Sequence, residues 1–200
     1  MNSPVQEVYV IRHGETEWSL SGRHTGLTDL PLTAHGRKTA EFLRPVLAEQ
    51  SFALVLTSPL QRARHTCELA GLAHHAKVTS DLEEWHYGDY EGMTTAQIRE
   101  HVPEWTVFSE GCPAGETPEH VRIRVDRLME KVKDTNGHVA LFAHGHILRV
   151  FVARWLNLPV KAGRHFLLDT GTLNILSYYR ECPAVKKWNA QIAGSLPSQT

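Results

Sequence analysis

Apolar residues recur along this chain in two rhythms. Short unbroken runs at Val8–Ile11, Leu54–Leu56 and Val139–Ala143 read as strands buried on both faces. Longer stretches carry helical spacing, clearest at Val121, Val125, Leu128 and Val132. The pattern predicts strands over about 6–12, 53–57, 76–79 and 138–143, with a last pair at Phe166–Leu168 and Leu173–Tyr178. It predicts helices over 34–50, 59–72, 94–101, 118–134 and 147–155. Thr33 is placed to cap the first of these, and Pro45 inside it should kink or split it. Pro59 opens the second at a position that tolerates a missing N–H. Strands alternating with helices imply one α/β domain over residues 1–200, a three-layer α/β/α sandwich around a mostly parallel mixed sheet. The connection Ser19–Leu32 is long for a compact domain, and its glycines and Arg23 suit a wall around an anion. The tail after Asn189 is polar and small and is expected to be loose.

Three of the buried runs end in chemistry. The first stops at Arg12-His13-Gly14, the second at Ser58-Pro59 with Arg62 and Arg64 close behind, and the third at His144-Gly145-His146. If these strands run parallel, the groups meet at one sheet edge, where open α/β sheets bind their ligands. A fixed cation beside a potential nucleophile points to an anionic substrate, with phosphate the first candidate. Any one of these histidines could be a satisfied, half-buried residue. Three strand ends together are hard to explain by packing.

Composition removes other classes. At 42% hydrophobic and 22% charged, the chain should fold rather than stay disordered. A net charge of −1 argues against a general binder of nucleic acid or membrane surface. No run of eighteen apolar residues is present, and Met1-Asn2-Ser3-Pro4 lacks the marks of a signal peptide. Cys67, Cys112 and Cys182 form no C-x-x-C pair, which fits free thiols in a reducing cytoplasm. His74-His75 reads as a solvated loop pair.

The segments carrying these residues resemble the motifs of the histidine phosphatase (phosphoglycerate mutase-like) superfamily, in order and over nearly the whole chain. They are Arg12-His13-Gly14-Glu15, Gly22-Arg23-His24-Thr25-Gly26, Thr57-Ser58-Pro59-Leu60-Gln61-Arg62, Glu84-Trp85-His86-Tyr87-Gly88 and Ala143-His144-Gly145. The resemblance implies that fold and phosphoryl transfer through a phosphohistidine on His13. Arg12 and Arg62 would grip the phosphoryl oxygens, His144 would add a donor, and Glu84 would be the general acid. Ser19, Thr25, Gly26, Tyr87, Gly145, His146 and Arg149 would contact substrate. No metal or cofactor is implied. Spacing alone would not select Glu84 among Asp81, Glu83, Asp89 and Glu91; the motif does, with Glu83 the fallback. Glu15 is expected to brace the first loop.

Within the superfamily, Ser19, Trp85 and His146 stand where cofactor-dependent phosphoglycerate mutases have Asn, Arg and Asn, and the chain is shorter and lacks an obvious lid-like tail. A closer resemblance is to the fungal sedoheptulose-1,7-bisphosphatases, carried by Thr25–Thr33, Tyr87–Gly92, Phe142–His146 and Phe166–Asp169. It implies a sugar phosphate or bisphosphate substrate, with Arg149 either on a distal anion or a surface charge at a helix start. Between the helix that follows His144 and Phe166 the chain is much shorter than those enzymes. A mutase, a protein phosphatase, a non-catalytic phosphate-binding scaffold and a metal hydrolase built on His144-x-His146 are the alternatives.

Overall fold

The computed structural model describes residues 5–192. Six strands form one sheet: β1 Val8–Arg12, β2 Phe52–Thr57, β3 Ala76–Val78, β4 His138–Ala143, β5 Leu173–Tyr179 and β6 Cys182–Ala190. Their order is β3-β2-β4-β1-β5-β6. The first four are parallel, while β5 runs antiparallel to β1 and to β6. Helices α1 Glu17–Leu20, α2 Ala34–Ala48, α3 Gln61–Leu69, α4 Thr95–Arg99, α5 Val107–Glu110, α6 Pro118–Lys133 and α7 Gly145–Trp155 complete the layers.

Alternation along β1 explains the three layers. Tyr9 and Ile11 face a cluster with Leu43 and Leu47 of α2 and Cys67 of α3. Val8 and Val10 face a larger cluster with Val125 and Val132 of α6 and Phe151 of α7. Both sides of the central strands are therefore apolar, which is why they read as unbroken runs. Thr33, Thr94 and Thr117 cap α2, α4 and α6 through their hydroxyls, so those helix starts follow from local sequence.

Several elements differ from the pattern. Phe166–Leu168 is not a strand. It extends beyond the 3₁₀ turn Val160–His165, with Leu167 exposed and the Leu168 carbonyl taken by Arg12. The place beside β5 is filled instead by β6, which also means the chain stays ordered through Ala190. Pro45 does not split α2, which runs from Ala34 to Ala48 with the proline inside it. Pro59 lies ahead of α3, whose N-cap is Leu60. His74 and His75 are exposed, as expected of a solvated pair, though in a short 3₁₀ turn. The three cysteines are free. Among the described residues no helix is long and apolar enough to cross a membrane. The expectations for Met1–Pro4 and for the tail beyond residue 192 lie outside the described residues.

Candidate active site

Strand register sets the site. Arg12 pairs with Ala143 across β1 and β4, and Thr57 pairs with Phe142 across β2 and β4. His13, Ser58 and His144 therefore leave the sheet at the same edge. The His13 backbone N–H donates to the Ala143 carbonyl at 2.9 Å, and that of Ser58 to Phe142 at 2.9 Å, extending the sheet one residue past its strands.

His13 is 5% exposed and lines a cleft of about 540 Å³, its open mouth included. Its Nδ1 lies 2.7 Å from the Gly14 carbonyl oxygen. A carbonyl only accepts, so the ring proton sits on Nδ1 and Nε2 keeps its lone pair. Burial lowers the His13 pKa well below the ordinary value, and the charges of Arg62 and Arg12 add to that, against the raising effect of the Gly14 carbonyl. The ring is thus a neutral base at neutral pH. Gly14 is required by close approach: a Cβ there would run into the Gly36 carbonyl, and one on Gly36 into the Glu15 backbone. Glu15 braces this loop as expected, accepting from the Thr33 hydroxyl at 2.6 Å.

Arg12 lies half-buried beside the histidine. It donates to the Leu168 carbonyl at 2.6 Å, and its Nε is buried without a protein partner. An orphaned buried N–H on a cation is costly, and a bound anion would relieve it. Gly145 makes room, since a Cβ there would stand 3.3 Å from the guanidinium carbon. Arg12→Lys is expected to lower kcat/KM by about 10²–10³-fold, because an ammonium cannot present the planar fork. Kinetics on a variant with unchanged circular dichroism checks this, and a loss under about threefold would remove Arg12 from the chemistry.

Arg62 is fully buried on the first turn of α3. Nη1 donates to the Thr28 carbonyl at 2.9 Å, and Nη2 donates to Thr25 at 3.1 Å and Gly26 at 2.8 Å. Nε donates to His144 Nδ1 at 3.0 Å. That bond fixes the His144 tautomer: the neutral ring carries its proton on Nε2, which lies 2.8 Å from Ser58 Oγ. Burial first, then Arg62, keeps His144 neutral. Thr66 ties the two motifs together, accepting from the Gly14 N–H at 3.0 Å and donating to the Arg62 carbonyl at 2.7 Å. Glu91 holds the facing loop, accepting from the Gly26 and Thr28 N–H groups at 2.8 and 3.1 Å.

Glu84 sits at the N-terminus of α7. Its Oε1 accepts from the Trp85 and Ile147 N–H groups and Oε2 from that of His146, all at 2.9 Å. Burial raises its pKa and outweighs the lowering effect of those three bonds and of Arg62. Such opposition suits a carboxyl that must exchange a proton. Next to it the Tyr87 hydroxyl meets His146 Nδ1. Arg149 lies over the Phe108 ring at 4.8 Å and donates to the Gly163 and Arg164 carbonyls at 3.1 Å each. It lines the cleft, so it is not the surface charge that its place on the helix allowed.

Of the residues singled out in the sequence, Arg12, His13, Ser19, Thr25, Glu84, Tyr87, Gly145, His146 and Arg149 line the cleft. Arg62, His144 and Gly26 do not, and stand in the wall behind it. The Ser19 hydroxyl is occupied in capping α1, bonded to the Thr16 backbone. Glu83 does not line the cleft. Spacing in the sequence does not single out Glu91, whose one signal is the Glu91-Gly92 pair at the end of the acid-bearing loop. Trp85 is wholly buried and donates to the Glu116 carbonyl, so it is core. His144 and His146 do not converge on a metal position: one ring turns to Arg62 and Ser58, the other to Tyr87.

Known proteins share this arrangement. The pattern of the histidine phosphatase superfamily (branch 1) matches residues 8–191. The chain is 41% identical to an acid phosphatase of Mycobacterium tuberculosis, over 84% of this chain and 85% of that one. It is 32% identical to sedoheptulose 1,7-bisphosphatase of Saccharomyces cerevisiae, over 89% of each. The solved structure of an open reading frame product from Mycobacterium tuberculosis superposes with a TM-score of 0.89 at 37% identity, covering 93% of this chain and 98% of that one. With the family pattern spanning almost the whole described chain, and relatives above 30% identity over most of both lengths, this protein belongs to the histidine phosphatase superfamily.

Proposed function

We propose that this member of the superfamily, a phosphatase, is a phosphomonoesterase that works through a phosphohistidine on His13. The observation that carries the reading is the pairing of a locked, neutral His13 with the unpartnered buried Nε of Arg12 in one cleft. The Nε2 lone pair attacks phosphorus as the ester P–O bond breaks. Glu84 gives its proton to the departing alkoxide. Water then attacks phosphorus, Glu84 takes back a proton, and the P–N electron pair returns to His13. Arg12 offers Nε and its fork, and Arg62 keeps one N–H of its five uncommitted. His144 joins by exchanging Ser58 for a phosphoryl oxygen. A phosphate dianion beside Glu84 raises its pKa further and keeps the acid protonated. The two arginines balance the phosphate charge, so the step asks for no metal ion.

The substrate we propose is a small phosphorylated metabolite, a sugar phosphate or bisphosphate such as sedoheptulose 1,7-bisphosphate. The cleft at His13 is small and partly enclosed, which supports a metabolite over a protein segment. The likeness to the yeast bisphosphatase supports the sugar. Arg149 lines the same cleft, which supports a second anion on the substrate. The test is phosphate release from sugar mono- and bisphosphates, phosphoglycerates and 4-nitrophenyl phosphate, with a chelator present. The expected result is chelator-insensitive release with at least tenfold preference for a sugar phosphate. Release that a chelator abolishes would overturn the metal-free step, and transfer between phosphoglycerates without release would restore the mutase reading.

A further inference from the structure

His146 and Tyr87 form a pair whose protons the geometry assigns. The Tyr87 hydroxyl makes one hydrogen bond among the described residues, to His146 Nδ1. If Nδ1 carried the proton, the tyrosine proton would be left without an acceptor in a residue that is 1% exposed. The satisfied arrangement has Tyr87 donating and Nδ1 accepting. Neutral His146 then carries its proton on Nε2. That nitrogen has no partner among the described residues, yet it is not among the fully buried unpartnered atoms, so it reaches open space. Burial pushes the Tyr87 hydroxyl well above its ordinary pKa and, with Arg149 and His24 nearby, holds His146 well below its own. Neither group changes charge near neutral pH.

The position of the donor decides what it reads. His146 lines the cleft of His13 and also an adjoining cavity of about 510 Å³ walled by Trp105, Phe108 and Arg99. His13 and Glu84 line only the first. His146 therefore borders both spaces, as do His24 and Arg149. Arg12 and Arg149 line the same cleft and already supply charged donors. What Nε2 adds is a fixed, uncharged N–H. Stacking of Tyr87 on His24 at 4.8 Å, and the edge of Phe108 at 5.1 Å from the His146 ring, keep it from swinging away.

We infer that the His146–Tyr87 pair is a specificity-determining donor that recognises a neutral oxygen on the organic part of the phosphate ester. The substrate class is then a phosphorylated polyhydroxy compound rather than an alkyl or aryl phosphate. The inference rests on the phosphatase reading and deepens it. A donor that meets a substrate hydroxyl discriminates against the analogue that lacks it, because the analogue displaces the donor's water and offers no acceptor in its place.

The test compares glycerol 1-phosphate with propyl phosphate, which differ in the hydroxyls and not in length. Binding to His13→Ala protein is measured by calorimetry, so that turnover does not enter. The expected preference for glycerol 1-phosphate is about tenfold, the worth of one such hydrogen bond. It should fall to near one in His13→Ala/His146→Phe and by several-fold in His13→Ala/Tyr87→Phe, which keeps the ring but frees the tautomer. A preference near one in the parent, or one that both second substitutions leave intact, overturns the inference. A merely structural role would weaken both ligands equally and leave the ratio alone. Phosphate release and acid-labile phosphoprotein are followed separately in wild-type protein. If those are absent while the tenfold preference stands, the phosphatase reading has failed and the donor has not.

Discussion

His13→Ala is expected to lower phosphate release by at least about 10⁴-fold on every substrate, because a nucleophile is lost rather than a donor. Losing one hydrogen-bond donor to a developing charge costs roughly 10²–10³ in rate, whereas losing the attacking group of a covalent mechanism costs far more. The magnitude therefore separates two roles that the same geometry allows. If His13 only polarised the phosphoryl group for direct attack by water, the loss would stop near 10³. The second reading of the experiment is chemical. Wild-type protein mixed with a labelled substrate and quenched in alkali should retain an acid-labile, base-stable phosphoryl group, and His13→Ala should retain none. The variant should still fold, since the ring sits at the sheet edge facing the cleft and what is lost is its Gly14 hydrogen bond and its contact with the His144 ring. A thermal melt close to wild type is the control. Full activity in His13→Ala would remove the mechanism altogether.

The parts of this molecule that were legible in sequence are those where one physical rule acts alone. Val8–Ile11 and Val139–Ala143 had to be strands buried on both faces, because nothing polar interrupts them. Their ends had to carry the chemistry, because a parallel sheet brings strand ends to one edge. What escaped depends on partners distant in sequence. β6 carries Pro183 and two lysines and is mostly half-exposed, so it has no clean alternation; it is a strand because β5 offers an edge. Phe166–Leu168 has strand-like residues and no strand to pair with. The one-turn helices α1 and α5 are too short for a period to show. The same division runs through the site. That Arg62 would belong to the candidate site could be read from its motif. That its guanidinium would be committed to three carbonyls of Thr25–Thr28 could not, because the fold of that loop depends on Glu91, more than sixty positions away. Glu84 was one carboxylate among five by spacing, and only the placement of α7 gives it three N–H donors.

That placement makes Glu84→Gln the second large effect, and one with structure in it. In the proposed role of general acid, Glu84 matters in proportion to how badly the leaving group needs a proton. An alkoxide leaving from a sugar or glycerol phosphate needs one, and 4-nitrophenolate does not. The kcat/KM for the alkyl ester is expected to fall by about 10²–10⁴-fold and that for 4-nitrophenyl phosphate by tenfold or less. The comparison must be made on kcat/KM, which reports steps through formation of the phosphohistidine. The same carboxylate later activates water, so kcat on the aryl ester should also drop, and a burst of one 4-nitrophenol per active site should precede the slow phase. Accumulated phosphoprotein would be its counterpart. The amide cannot accept all three backbone N–H groups: one of its two ends is a donor and faces a donor, at a cost of about 1–3 kcal/mol in stability. A melt that falls by a few degrees is therefore part of the expectation. A misshapen site would slow both esters alike and give no burst. Equal losses in kcat/KM with normal folding would move proton donation off Glu84.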